Sequence, residues 1–133
     1  IGYDISIEEN GRTGEKPVKT AEYMAVPARK ALYDTYADLL KFRKENPRFF
    51  DSDAEFRWYA STSNFPGKYL FNKVDGKNMA IFANFGKGSQ SISVELPHDG
   101  KWYNYFKKDE VWNGRNHTTT LKEGEFVFLV DWK

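Results

Sequence analysis

The 133-residue chain contains no cysteine. Disulfide staples, thiolate metal sites and cysteine nucleophiles are therefore excluded, because each needs the sulfur. Histidine is scarce: only His98 and His117 occur. A histidine-based zinc site or a Ser-His-Asp triad would have to be assembled from these two and distant acids. Charge of one sign is also missing, since 20 Lys and Arg stand against 19 Asp and Glu for a formal net charge of +1. Such a balance projects no long-range field toward phosphate backbones or anionic lipid, so neither nucleic acid nor membrane is an expected partner. No apolar run approaches the roughly 20 residues of a membrane-spanning helix. No basic segment followed by an apolar one opens the chain as a secretory leader would. The length suits one domain, or one small domain plus a piece of another, and is too short for a large enzyme barrel.

Aromatic residues are what the chain has in abundance, at 17% of the sequence. That enrichment suits β-structure, where Phe, Tyr and Trp fill half-buried pleated surfaces. Residues 1–20 hold Gly, Pro and mixed charges without a sustained period and are expected to form a loop. From Pro27, suited to a first helical position, apolar residues recur at Ala28, Leu32, Tyr33, Tyr36, Ala37, Leu39 and Leu40, opposite Lys30, Asp34, Asp38 and Lys41. The spacing predicts one amphipathic helix, ending near Asn46 because Pro47 biases its predecessor away from helical angles. A lone helix with so wide an apolar face needs something to cover it.

After about residue 53 the period changes to two, with Phe56 and Trp58 facing one way and Glu55, Arg57 and Tyr59 the other. Further strands are expected over 68–74, 78–85, 89–96, 101–106, 109–112, 117–121 and 125–132, making about eight. Turn chemistry separates them, at Phe65-Pro66-Gly67, Asp75-Gly76, Gly86-Lys87-Gly88, Pro97-His98-Asp99-Gly100, Asn113-Gly114 and Glu123-Gly124. Short strands at regular spacing without intervening helices predict an antiparallel sandwich or barrel. Ile92, Val94 and Leu96 alternate with Ser91, Ser93 and Glu95, marking a half-buried strand, whereas 125–132 is apolar on both faces and should lie centrally.

Candidate chemistry is sparse. His98-Asp99 sits between Pro97 and Gly100, which are turn residues. Asp51-Ser52-Asp53 lacks the downstream Gly and Glu of an EF-hand calcium loop, and Gly86-Lys87-Gly88-Ser89 lacks both the Walker spacing and the following helix, so it reads as a hairpin. The acidic pairs Glu8-Glu9 and Asp109-Glu110 are adjacent in sequence, whereas a glycosidase needs two carboxyl groups facing each other across a cleft. Of the tryptophans, Trp58, Trp102 and Trp132 fall on apolar faces and are expected in the core. Trp112, beside the Asn113-Gly114 turn, together with Tyr59, Tyr103 and Tyr105 opposite the core positions, are the candidates for stacking on a sugar ring.

The order of segments resembles a known family. GYDISIEENGRTGEKPV, then RKALYDTYADLLKFRKENP, then IFANFGKGSQSISVELPHDGKWYNYF and LKEGEFVFLVDW, together resemble the C-terminal end of α-amylase superfamily glycoside hydrolases. There a catalytic (β/α)8 barrel is followed by an all-β domain. The likeness covers nearly the whole chain and rests on segment order more than on any one motif; after GRTGEKPV the chain continues KTAEYMAVPARK, where relatives often carry an aromatic-acidic stretch. It implies that residues 1–50 are the last barrel loop and helix, and that residues 51–133 form an antiparallel Greek-key β-sandwich of about eight strands. It also implies a non-catalytic chain with no catalytic residues of its own, because the family's acidic catalytic residues lie on earlier barrel strands. The implied partner is the catalytic barrel, with α-glucan as the substrate of the whole enzyme and a periplasmic or extracellular location. No cofactor is expected in this chain, and calcium in the parent is left open. The alternative function is a carbohydrate-binding module using Trp112, Tyr59, Tyr103 and Tyr105. Without a barrel, the apolar helix face is expected to fold back on the sandwich or to self-associate.

Overall fold

A computed structural model describes the backbone of residues 20–60 and 67–133, and side chains from 22 to 57 and from 70 to 133. The expected loop over residues 1–19 and most of the Phe65-Pro66-Gly67 turn lie outside the described residues. The chain divides into two compact units, Ile1–Pro47 and Arg48–Lys133.

In the first unit a short helix α1 (Thr20–Met24) precedes the long helix α2 (Pro27–Glu45). The sequence predicts one helix, because five residues are too few to show a 3.6 period. Pro27 occupies the first turn of α2, and no side chain caps its N-terminus. Strong helix formers carry it instead, with Lys30–Asp34 and Lys41–Glu45 ion pairs one turn apart. At the other end the backbone N–H of Asn46 donates to the Phe42 carbonyl at 2.9 Å, and Asn46 Nδ2 donates to the same oxygen at 3.1 Å. Arg43 and Lys44 in the last turn complement the helix dipole. Phe42 is the buried residue of the helix, while Leu32, Tyr33, Tyr36 and Leu40 are 44 to 63% exposed.

The second unit opens with a 3-10 turn reaching Phe50 and contains eight strands: β1 (Glu55–Ala60), β2 (Gly67–Val74), β3 (Lys77–Asn84), β4 (Gln90–Glu95), β5 (Lys101–Asn104), β6 (Val111–Asn113), β7 (Asn116–Leu121) and β8 (Phe126–Val130). All pairings are antiparallel. Six strands form one sheet in the order β1-β2-β3-β8-β5-β6, and β4 pairs with β7 in a second, two-stranded sheet. This is a β-sandwich-type domain. β8 lies inside the large sheet between β3 and β5, as its two-sided apolarity predicts.

Register separates the two faces of the large sheet. Phe71 pairs with Ala80, Phe82 with Val127, and Trp102 with Trp112, so these side chains share the inner face. They meet Ile92, Val94, Leu96 and Leu121 of the small sheet and its flank in one core, in which Phe82, Leu96, Trp102 and Leu129 have essentially no exposure. The outer face carries Met79, Phe128, Val130 and Tyr103. Tyr105 and Phe106, just past β5, pack on Phe128 with ring centroids 5.2 and 6.3 Å away, and Phe106 also meets Phe126 edge-on.

Several expectations are corrected. Gly86-Lys87-Gly88 is no hairpin: it carries the chain from β3 in the large sheet to β4 in the small one. Pro97-His98-Asp99-Gly100 likewise crosses between sheets. A turn residue sets local backbone direction, and whether the next strand pairs with the last is decided by distant partners. Phe56 is 57% exposed on the outer face, because β1 is an edge strand. Trp132 is half-buried rather than in the core, stacked on Phe49 at 5.3 Å. The side chain of Trp58 lies outside the described residues.

Candidate functional site

The proposed stacking residues do not form one patch. Trp112 lies on the inner face, half-buried, with its ring 5.5 Å from Phe82 and 4.8 Å from His117. Its Nε1 donates to Glu110 at 2.5 Å. Tyr103 pairs with Val130 and Val111 on the opposite, outer face, and Lys133 Nζ sits 5.9 Å above its ring. Tyr105 belongs to the same side, half-buried against Phe106 and Phe128. The backbone of Tyr59 pairs with Tyr69, and its side chain lies outside the described residues. Among the described rings, Trp112 and Tyr103 are therefore separated by the thickness of the sheet.

A groove of about 570 Å³ lies in the β unit between β1–β2 and β4. It follows from the unequal widths of the sheets, since two strands cannot cover the inner face of six. Phe71 contributes an aromatic wall, and charged side chains surround it. Arg57 pairs with Glu55, and Arg115 Nε lies 3.0 Å from Glu95 Oε1. Lys73, His98, Ser93, Asn72 and Asn78 add to the polar lining. The arrangement offers hydrogen-bonding groups around one ring and suits recognition of a polar ligand. Sequence reasoning did not find it, because its walls come from segments as far apart in sequence as Glu55, Glu95 and Arg115, which become neighbours only through the two-sheet topology.

His98, one of the residues lining this groove, is built into a dense polar cluster. Its Nε2 lies 2.8 Å from Asp131 Oδ2 and its Nδ1 lies 2.6 Å from the Asp99 carbonyl oxygen. The ring stacks on the fully buried Trp102 at 4.8 Å, and Trp102 Nε1 donates to the His98 carbonyl. Asp131 also accepts from the backbone N–H of Asn78 at 2.8 Å and from Asn78 Nδ2 at 2.7 Å. The hydrogen bond to the Asp99 carbonyl, followed by that to Asp131, raises the His98 pKa above its ordinary value against a lowering by burial.

The acidic cluster over Asp51, Asp53 and Asp75 is organised around one cation. Arg48 donates to all three, with both Asp53 oxygens within 3.0 Å and Asp75 Oδ2 at 3.0 Å. Hydrogen bonding to Arg48 holds Asp53 and Asp75 below the usual carboxylate range. Among the described residues no group of three or more His, Asp and Glu is placed to hold a metal ion.

No protein-family model matches the sequence, and no curated protein matches it. Solved structures do match. One, an AmyP variant in complex with maltotriose, has a TM-score of 0.69 at 12% sequence identity. The match covers 87% of this chain and 24% of that one. The chain thus spans about a quarter of the length of the protein it matches. The matched share of this chain exceeds the β unit alone and reaches into the helical unit.

Proposed function

We propose that the chain is the non-catalytic C-terminal part of an α-amylase-like glycoside hydrolase, an all-β domain joined to the last helix of a (β/α)8 barrel. Its role is to support that barrel by covering apolar barrel surface. The observation that carries this reading is the form of the match: 87% of this chain, more than its β unit alone, corresponds to about a quarter of AmyP. The exposed Leu32, Tyr33, Tyr36 and Leu40 support it, since a barrel helix buries such a face against strands and neighbouring helices. The maltotriose bound in the AmyP structure supports α-glucan as the substrate class of the whole enzyme.

Two experiments test the proposal. An antibody raised against the 15.5 kDa chain should detect, in cells that make it, a protein several times heavier. A native product of the chain's own mass would overturn the reading. The purified chain should release no reducing sugar from soluble starch and should migrate unchanged through a starch-containing gel. Hydrolysis would refute the non-catalytic assignment, and retardation would favour the carbohydrate-binding module instead.

A further inference from the structure

The His98 cluster points to a device independent of the proposed parent enzyme. Both ring nitrogens face groups that can only accept: Nε2 faces the Asp131 carboxylate at 2.8 Å, and Nδ1 faces the Asp99 carbonyl at 2.6 Å. A neutral imidazole has one N–H and one lone pair, so it can satisfy only one of these contacts. The other would become an unfavourable approach of two lone pairs. The geometry is complete only when the ring carries both protons.

We propose that His98 is a pH-sensitive clasp, whose imidazolium holds the β4-to-β5 crossing against the end of β8 and releases it when the ring deprotonates. Every element packed against the ring contributes. Asp131, the residue just past β8, supplies the counter-charge, held at 9% side-chain exposure. From β3, Asn78 anchors Asp131 through its backbone and side-chain N–H groups. The stacked indole of Trp102 comes from β5, and its electron-rich face favours a cation above it. The crossing itself supplies the Asp99 carbonyl and, nearby, the Asp99 carboxylate, which adds to the attraction. Gly114, from the turn between β6 and β7, donates its N–H to the Gly100 carbonyl at 2.8 Å.

The direction of the pH dependence follows. The folded state holds the His98 proton more tightly than the unfolded chain does. The clasp therefore contributes its full stabilisation below the unfolded histidine value of about 6.5 and loses it as pH rises through the higher folded value. Because His98 lines the groove, release also loosens that part of its wall.

The test is nitrogen-15 NMR of the imidazole rings in the whole chain across pH 5 to 9, with thermal melting of wild type, His98→Gln and Asp131→Asn alongside. The His98 ring should show two protonated nitrogens at pH 6.5 and titrate above the ordinary histidine value. Asp131→Asn should return that titration toward the ordinary value. The melting point of His98→Gln should lie about 4 °C below wild type at pH 5.5, and the gap should close by pH 9. A wild-type ring that titrates at or below the ordinary value would overturn the proposal. So would a melting gap that does not change with pH. If His98→Gln fails to fold, the wild-type titration decides alone.

Discussion

Two asparagines do more for this fold than their polar character suggests. Asn84 ends β3 with no exposure. Its Oδ1 accepts from the Gly86 N–H at 2.8 Å, and its Nδ2 faces the carbonyls of Gly88, Leu121 and Lys122 between 2.8 and 3.2 Å. One side chain thereby starts the turn into the second sheet and ties it to the end of β7. Asn104 does the first half of this at the end of β5, where its Oδ1 accepts from the N–H groups of Phe106 and Lys107, both at 3.0 Å. Asn84→Ala should cost about 3 kcal/mol, because it removes a fully buried side chain and its hydrogen bonds to four backbone groups, that to the Leu121 carbonyl being buried. Urea denaturation should show a lower midpoint at unchanged slope. Asn84→Asp should be as damaging at neutral pH, since a carboxylate cannot donate to any of these carbonyls, and somewhat less so in acid, where the protonated form regains a single O–H donor. The sequence carried a signal for both residues, an Asn closing an apolar strand ahead of a turn, but nothing local announced their burial. The same holds for His98: its turn was legible, while its partner Asp131 lies 33 residues away.

At the scale of elements, Arg48 fastens the entry of the β unit to the β2–β3 hairpin through Asp53 and Asp75. Asp75 takes a left-handed backbone with φ of 50°, which Asp tolerates better than most residues and which suits a two-residue Asp-Gly hairpin turn. Because hydrogen bonds to Arg48 depress the pKa of both aspartates, their stabilisation is present above the unfolded carboxylate value of about 3.9 and lost as pH falls through the folded values. Arg48→Met should therefore flatten the decline of melting temperature between pH 5 and pH 2, measured by circular dichroism. The helix α2 makes a different prediction. Its apolar face at Leu32, Tyr36 and Leu40 is exposed, so Tyr36→Lys with Leu40→Lys should change the melting of this chain little. The pair should remove any concentration-dependent self-association seen by sedimentation. A loss of several degrees would mean that the face is covered within the chain. Helix extent was readable from the sequence to within a residue at each end, because Pro27 is a local start signal and the Asn46-Pro47 pair a local stop signal.

For the molecule as a whole, the residues of the large buried cluster, among the described residues, all belong to the unit from Arg48 to Lys133. That segment produced alone should unfold cooperatively in urea, and a broad or absent transition would show that it depends on the helical unit. What the sequence by itself determined is the set of elements: eight short strands near their observed positions, one long amphipathic helix, and a β8 destined for the sheet interior. Side-chain period, β-branched and aromatic runs, and turn residues are properties of neighbours along the chain, so they can be read there. Only the tertiary structure decided which strands share a sheet, that β3 to β4 and β4 to β5 cross between layers, and that Trp112 and Tyr103 lie on opposite faces. The groove beside Phe71 and the clasp at His98 belong to the same class. Each depends on strand pairing between residues far apart in sequence, whose free energy comes from burying a shared face, and no local pattern encodes which face will be shared.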